Sequence, residues 1–298
     1  MKHVVSREIG GRTLTIETGE IAKQAAGATI VRCGDCAVLC AVTWGEPRWG
    51  GDFFPLTVDC RENNYAAGKI PGGFFKREGR PTTKEILTAR LIDRPVRPLF
   101  PAGYMKDVSV AAAVLSADRE NDPDILAMIA ASASLSISEL PFEGPIGASR
   151  IGRVDGELIV NPTHEQRDQG DIDLVVASIA DAIVMVEAGA REVAEADIID
   201  ALEKAHEVNA QIVDMINEFA KLAGKPKIEF VAPEVDEELK SRIHSMAYDQ
   251  LRKVIRTDGK FARKAAMDSV CDEVFKQICP EDKIEAETCP DPKDVKGM

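Results

Sequence analysis

Aromatic and basic side chains are concentrated in one short part of this chain, residues 69–97. This stretch holds eight lysines and arginines against three acidic residues, although the 298-residue chain has a formal net charge of −13. Its first half, GKIPGGFFKREGRP, is rich in glycine, which permits tight turns. Aromatic rings that stack on bases, beside cations that contact phosphates, are typical of single-stranded nucleic-acid binding. The candidate contacts are Phe74, Phe75, Lys76, Arg77 and Arg80.

A second set of cations lies on the helix that is predicted to follow this loop. Arg90 and Arg94 are four residues apart, so they are expected to share a helix face, with Arg97 just beyond. Converging arginines bind phosphate groups through paired hydrogen bonds. A structural role is the alternative, in which the phenylalanines are core residues and the arginines pair with nearby acids. The residues alone leave both interpretations open.

The elements that would position these side chains follow from periodicity and turn signals. Nine short β-rich runs, from RTLTIETG to AIVMVEAG, alternate with turns between Arg12 and about Ala190. A capping box at Thr82–Glu85 begins the helix of the basic stretch, and Pro95 is expected to end it. An apolar helix over 124–140 is expected to lie buried between layers.

The chain changes character after Ala190. One long amphipathic helix, closed by Gly224, is followed by a linker and by two helices that break near residues 257–259. We therefore predict an α/β (α+β) domain with a mixed sheet over residues 1–228. A small all-helical domain is predicted over residues 233–298.

Composition restricts the classes of function that are open to the chain. No apolar run reaches the roughly 18 residues that a membrane span needs, and the N-terminus lacks a signal-peptide pattern. We therefore expect a cytoplasmic protein with no membrane partner. The acidic balance disfavours non-specific nucleic-acid contact, and no DNA partner is expected. Cys33, Cys36 and Cys40 are interpreted as core thiols in preference to metal ligands.

Several long stretches resemble the first ring domain of the bacterial polynucleotide phosphorylase family. They are DFFPLTVDCRENNYAAGKIPGGFFKREGRP, RLIDRPVRPLFP, NDPDILAMIAASASLSIS and PFEGPIGASRIG, and the resemblance extends over essentially the whole chain. It implies a ribonuclease PH-like fold of ribosomal protein S5 domain 2-like β-α-β units, then an all-helical linker domain, in a homotrimer. It also implies that Phe74 and Phe75 stack or gate single-stranded RNA while Lys76, Arg77 and Arg80 contact phosphates. Lys76 stands where the family usually has arginine.

The activity that this resemblance implies is 3′→5′ phosphorolysis of RNA by a polyribonucleotide nucleotidyltransferase in mRNA degradation. Inorganic phosphate and Mg²⁺ are the expected cofactors, bound mainly by a second, homologous domain that lies beyond this segment. Here Asp122, Pro123 and Asp124 occupy the turn that binds phosphate in active domains. Asp171 and Asp173 resemble the family's acidic strand, but solvated acids are favoured over a metal site. We therefore predict no catalytic or metal-binding residue in this segment.

A non-catalytic RNA-binding ring or scaffold subunit is the alternative function. Proteins of an RNA-degradation complex are further candidate partners in either case. A metabolic enzyme that uses Arg90, Arg94 and Arg97 on a small phosphorylated substrate is less favoured, because the sequence offers neither a closed pocket nor a competent base.

Overall fold

The structure is a computed structural model that describes residues 1–47, 53–74, 76–118, 120–232 and 236–279. The chain divides into two compact units, Met1–Ala232 and Pro233–Met298, which we call the first unit and the helical unit. Within the described residues, no helix is both long enough and apolar enough to cross a membrane.

The first unit begins with a six-stranded sheet in the order β1-β2-β3-β4-β6-β5. Every neighbouring pair is antiparallel except β5 and β6, which are parallel, so the predicted mixed sheet is confirmed. Helix α1 (Thr83–Val96) lies in the crossover between β5 and β6, a connection that parallel strands require. The strands are β1 His3–Ile9, β2 Arg12–Thr18, β3 Gly27–Cys33, β4 Cys36–Gly45, β5 Leu56–Arg61 and β6 Asp107–Ser116.

Two features of this half differ from the predictions. Strand β1 was missed, although its Val5 and Ile9 are buried on one face. Pro95 does not end α1, because the helix continues to Val96 and a 3-10 turn follows at Arg97–Leu99. Pro95 lies in the last helical turn, where only one backbone bond is lost. The capping box is confirmed, since the Glu85 amide donates to Thr82 Oγ1 at 3.2 Å.

A second, antiparallel sheet completes the first unit in the order β10-β9-β7-β8. Helix α2 (Pro123–Ile137) packs against strands of both sheets and is buried along nearly its whole length, as predicted. It ends before Leu140 because Ser138 is extended and its hydroxyl donates to the Leu135 carbonyl. The strands are β7 Gly147–Val154, β8 Glu157–Val160, β9 Ile172–Ser178 and β10 Ile183–Ala190.

Two further helices belong to the first unit. The short α3 (His164–Gln169) was not predicted, although Thr163 and Gln166 form a capping box. The long α4 (Glu195–Ala223) ends at Gly224, as predicted. Its predicted apolar stripe is confirmed, because Val208, Ile212, Met215, Ile216 and Phe219 are buried and Ile198 and Leu202 pack on a neighbouring cluster.

The helical unit contains α5 (Glu237–Val254) and α6 (Lys260–Ile278), which confirms the predicted pair of helices. Leu239 near the start of α5 shares a core with Val274 and Ile278 near the end of α6. The two helices are therefore antiparallel, with the connection 255–259 at one end.

The interpretation as core thiols is confirmed for Cys36 and Cys40, which are buried in the sheet, whereas Cys33 is only half-buried. Among the residues that the structure describes, no group of three His, Cys, Asp or Glu side chains is arranged to hold a metal ion.

Candidate nucleic-acid interface

The glycine-rich loop between β5 and α1 is fixed at its base. Glu78 accepts hydrogen bonds from the Asn64 amide (2.9 Å) and from Asn64 Nδ2 (3.0 Å). Arg61 donates to the Gly79 carbonyl at 3.1 Å. These bonds tie the descending half of the loop to the end of β5, so the described residues 69–74, 76 and 77 extend from an anchored base.

The tip of this loop presents an aromatic ring and cations to solvent. Phe74 is 95% exposed, which excludes the core interpretation for this residue. Lys76, Arg77 and Arg80 are exposed and form no ion pair with any described residue. Gly73 (φ +76°) and Lys76 (φ +47°) both have left-handed backbone conformations, which turn the chain sharply here. Phe75 lies outside the described residues.

Arg90 and Arg94 of α1 and Arg97 of the following 3-10 turn do not form one cluster. Arg94 pairs with Glu187 of β10 at 2.9 Å. Arg97 pairs with Asp93 at 2.7 Å and also donates to the carbonyls of Phe54 and Leu56, so its guanidinium fixes the start of β5. Arg90 is exposed and lines a separate groove of about 360 Å³ between β5 and α1. Only Arg90 therefore presents a guanidinium without an ion pair to described residues.

A network of charges fills the N-terminal end of α2, where an active domain would hold phosphate. The Asp122 carboxylate does not cap the helix; it pairs with Lys84 at 3.0 Å and with Arg167 at 2.9 Å. Asp124 is buried and pairs with Arg150. Arg150 and Arg167 both pair with Asp173, which closes the network across α2, α3 and two strands of the second sheet.

The protonation of this network follows from burial and from charge. Burial alone would raise the pKa of Asp122, but Lys84, Arg150 and Arg167 hold it below its ordinary value. Burial likewise opposes ionisation of Asp173, and Arg150 with Arg167 lowers its pKa. Both carboxylates therefore stay charged at neutral pH, and the neighbouring cations are already paired.

The cleft beside this network, about 660 Å³ in volume, does not suit a phosphate ion or a magnesium ion. A phosphate at the start of α2 would face the carboxylates of Asp122 and Asp124, and Pro123 offers no amide donor. Asp173 is held by two arginines and is not available as a metal ligand. Asp171 is similarly paired, to Arg153 at 2.6 Å, and is not merely solvated as predicted.

The cations of this network were difficult to predict from the sequence. Lys84, Arg150 and Arg167 come from three distant parts of the chain and were not predicted to meet Asp122. One signal was available: Arg150 interrupts the strand GASRIGRV, in which the neighbouring positions are buried. A charged residue inside a buried strand requires a buried partner.

Solved structures with the same architecture define the class of fold. Rice Rrp46 aligns with a TM-score of 0.55 at 16% identity and covers 74% of this chain and 94% of its own. The Archaeoglobus fulgidus exosome with RNA bound to the active site aligns with a TM-score of 0.52 at 18% identity, covering 74% of this chain and 87% of its own. At this identity the likeness concerns the fold, which is of the ribonuclease PH type.

Sequence comparison narrows the class further. Residues 10–141 match domain 1 of the 3′ exoribonuclease family and contain strands β2 to β6, and residues 144–208 match domain 2 and contain strands β7 to β10. This chain belongs to the 3′ exoribonuclease family, as the resemblance predicted.

Two curated proteins with similar sequences are both polyribonucleotide nucleotidyltransferases. A polyribonucleotide nucleotidyltransferase of Heliobacterium modesticaldum is 52% identical over 93% of this chain and 39% of its own length. The Geobacter sulfurreducens polyribonucleotide nucleotidyltransferase is 48% identical over 94% of this chain and 40% of its own length. The chain therefore spans about two fifths of the length of these curated relatives.

Proposed function

We propose that this chain is the RNA-guiding part of a 3′→5′ phosphorolytic exoribonuclease, a polyribonucleotide nucleotidyltransferase that acts in mRNA degradation. In this proposal the first unit binds single-stranded RNA through the loop tip, and phosphorolysis takes place in a second ribonuclease PH-like domain outside these 298 residues. The helical unit is the linker to that domain. Family membership and the names of the relatives support the activity.

The observation that carries the proposal is the exposed loop tip on an anchored base. Phe74 offers an apolar ring to solvent, where burial against a base would be favourable, and three cations lie within six residues of it. Lys76, Arg77 and Arg80 are exposed and form no ion pair with a described residue, so their charges are available to the phosphates of a polyanion. Arg90 is a further phosphate contact in this proposal.

The cofactors and assembly extend the same proposal. In this proposal inorganic phosphate and Mg²⁺ act in the second domain, and the mutual pairing of the charges at the start of α2 supports that assignment. A homotrimer would bring three loop tips around one RNA strand, and the enzyme works in the cytoplasm. Proteins of an RNA-degradation complex are further partners.

Replacing Phe74 with leucine tests the stacking role. Leucine keeps an apolar side chain but removes the aromatic face, so we expect affinity for a labelled oligo(A) to fall about fivefold, the lower end of the effect of one stacked base. Fluorescence anisotropy measures the change. Phe53→Leu, which removes a second exposed phenylalanine ring of the first unit, controls for the general loss of a surface ring. Unchanged affinity of Phe74→Leu would exclude stacking.

An assay of phosphorolysis tests whether the catalytic site lies outside this chain. We expect the purified 298-residue chain to release no nucleoside diphosphates from poly(A) in the presence of phosphate and Mg²⁺. A full-length polyribonucleotide nucleotidyltransferase serves as the positive control, and reactions without phosphate reveal contaminating hydrolases. Phosphate-dependent release by this chain would show that a working site exists here, and the first place to seek it is the cleft beside Arg150.

A further inference from the structure

A second concentration of positive charge lies at one end of the helical unit. Residues 252–264, which we call the hairpin tip, contain six basic residues and one acidic residue, Asp258. The six come from the end of α5, the connection and the start of α6, and these segments meet at the same end of the antiparallel pair. They are Arg252, Lys253, Arg256, Lys260, Arg263 and Lys264.

These cations face solvent and are not neutralised locally. Five are exposed and Arg263 is half-buried, and none of the six forms an ion pair with a described residue. At the opposite end of the unit, Lys240 pairs with Glu237 at 3.1 Å. The hairpin tip instead brings six basic residues together without an acidic partner among the described residues.

Helix stability explains only part of this arrangement. Arg252 and Lys253 lie in the last turn of α5, where positive charge is favoured by the helix dipole. Lys260 is the first residue of α6, where the helix dipole disfavours positive charge, and the first turn of α6 has no acidic residue. Arg263 and Lys264 are the fourth and fifth residues of the helix, so the dipole stabilises none of these three charges and helix stability does not account for them.

An exposed aromatic ring completes the hairpin tip. Phe261 is 85% exposed and lies between Lys260 and Arg263 in the sequence, and Ile255 of the connection is also exposed. An aromatic ring among unpaired cations is the same combination that the loop tip presents at Phe74. Its chemistry suits a chain that carries both phosphates and flat bases.

We propose that the hairpin tip is a second contact for single-stranded RNA, in which Phe261 stacks on a base and Lys260 and Lys264 contact phosphates. Charge complementarity identifies RNA as the ligand, because cations without an ion-pair partner in the protein are available to neutralise phosphates. This inference rests on the proposed function but assigns RNA to a unit other than the one that carries the loop tip.

The test compares two double variants of the full 298-residue chain. Lys260→Gln with Lys264→Gln removes two charges at the hairpin tip, and Lys240→Gln with Lys276→Gln removes two exposed charges at the other end of the same hairpin. For a labelled oligo(A) at about 0.15 M salt, we expect the tip variant to bind about tenfold more weakly, with a log–log salt slope shallower by about 1.4. The control variant should bind as tightly as the unsubstituted chain, and the tip variant should melt at or above the temperature of the unsubstituted chain.

A crosslinking experiment, compared with the affinities of the loop variants, separates this inference from the proposed function. RNA that contains 4-thiouridine should crosslink, under ultraviolet light, to peptides from residues 252–264. The loop variants could lose affinity while the tip variant binds RNA normally and no crosslink forms at residues 252–264. In that case the hairpin tip is not an RNA contact, and the proposed function stands. Equal weakening of both double variants would reduce the effect to net charge and overturn the inference. If the unsubstituted chain binds no RNA, both proposals fail.

Discussion

Replacing Arg150 with methionine is expected to lower the free energy of unfolding by about 3–5 kcal/mol, the usual cost of removing one partner from a buried ion pair. Arg150 is 6% exposed and contacts both Asp124 and Asp173. Burial already raises the pKa of Asp124, and without Arg150 this side chain loses the ion pair that favours its charged form. Urea unfolding followed by tryptophan fluorescence measures the change, because both tryptophans lie in the first unit.

Two comparisons make that result specific to the network. Lys204→Met removes one partner of an exposed pair with Glu207 and should change stability by less than about 0.5 kcal/mol. Adding Asp124→Leu to Arg150→Met removes the stranded charge and should restore part of the loss. If Arg150→Met alone lowered the free energy of unfolding by less than about 1 kcal/mol, water would be screening these charges. The argument against a phosphate site at the start of α2 would then be weaker.

The second large effect is expected at the loop tip. Replacing Lys76, Arg77 and Arg80 together with glutamine should weaken binding of a labelled oligo(A) about fiftyfold at about 0.15 M salt, since each lost phosphate contact removes about 0.7 from the log–log salt slope. The slope itself should become shallower by about 2. Fluorescence anisotropy over a salt series gives both quantities from one set of titrations.

The matched control removes three exposed lysines elsewhere on the first unit. Lys23→Gln, Lys204→Gln and Lys221→Gln change the net charge equally. If this control weakens binding as much as the loop variant does, the attraction is a property of overall charge, and the loop tip is not on the path of the RNA. An unchanged salt slope in the loop variant would lead to the same conclusion.

The sequence predicted those parts of the fold that depend on neighbouring residues. The capping box at Thr82 and the stripe of α4 were recognisable because their residues interact within one or two helical turns. The exposure of Phe74 agrees with the interpretation of the glycine-rich loop, while the roles of the loop residues in RNA binding remain predictions.

Interactions between distant residues account for the remaining differences. Arg97 was grouped with Arg90 and Arg94 by spacing, yet its hydrogen bonds go to carbonyls of Phe54 and Leu56, about forty residues earlier in the chain. The partners of Asp122 were not predictable for the same reason. Lys84 precedes it and Arg167 follows it in the sequence, each by tens of residues. Spacing along one helix indicates which residues share a face, but it does not indicate what faces them.

The buried thiols of the first sheet give the molecule an internal reporter of unfolding. Cys40 and Cys60 flank Ala112 on adjacent strands, and burial raises the pKa of each to about 12. Essentially no thiolate is present at neutral pH, so neither reacts with an alkylating reagent while the sheet is intact. The rate at which these two cysteines become labelled therefore records how often the sheet opens, separately from any event in the helical unit.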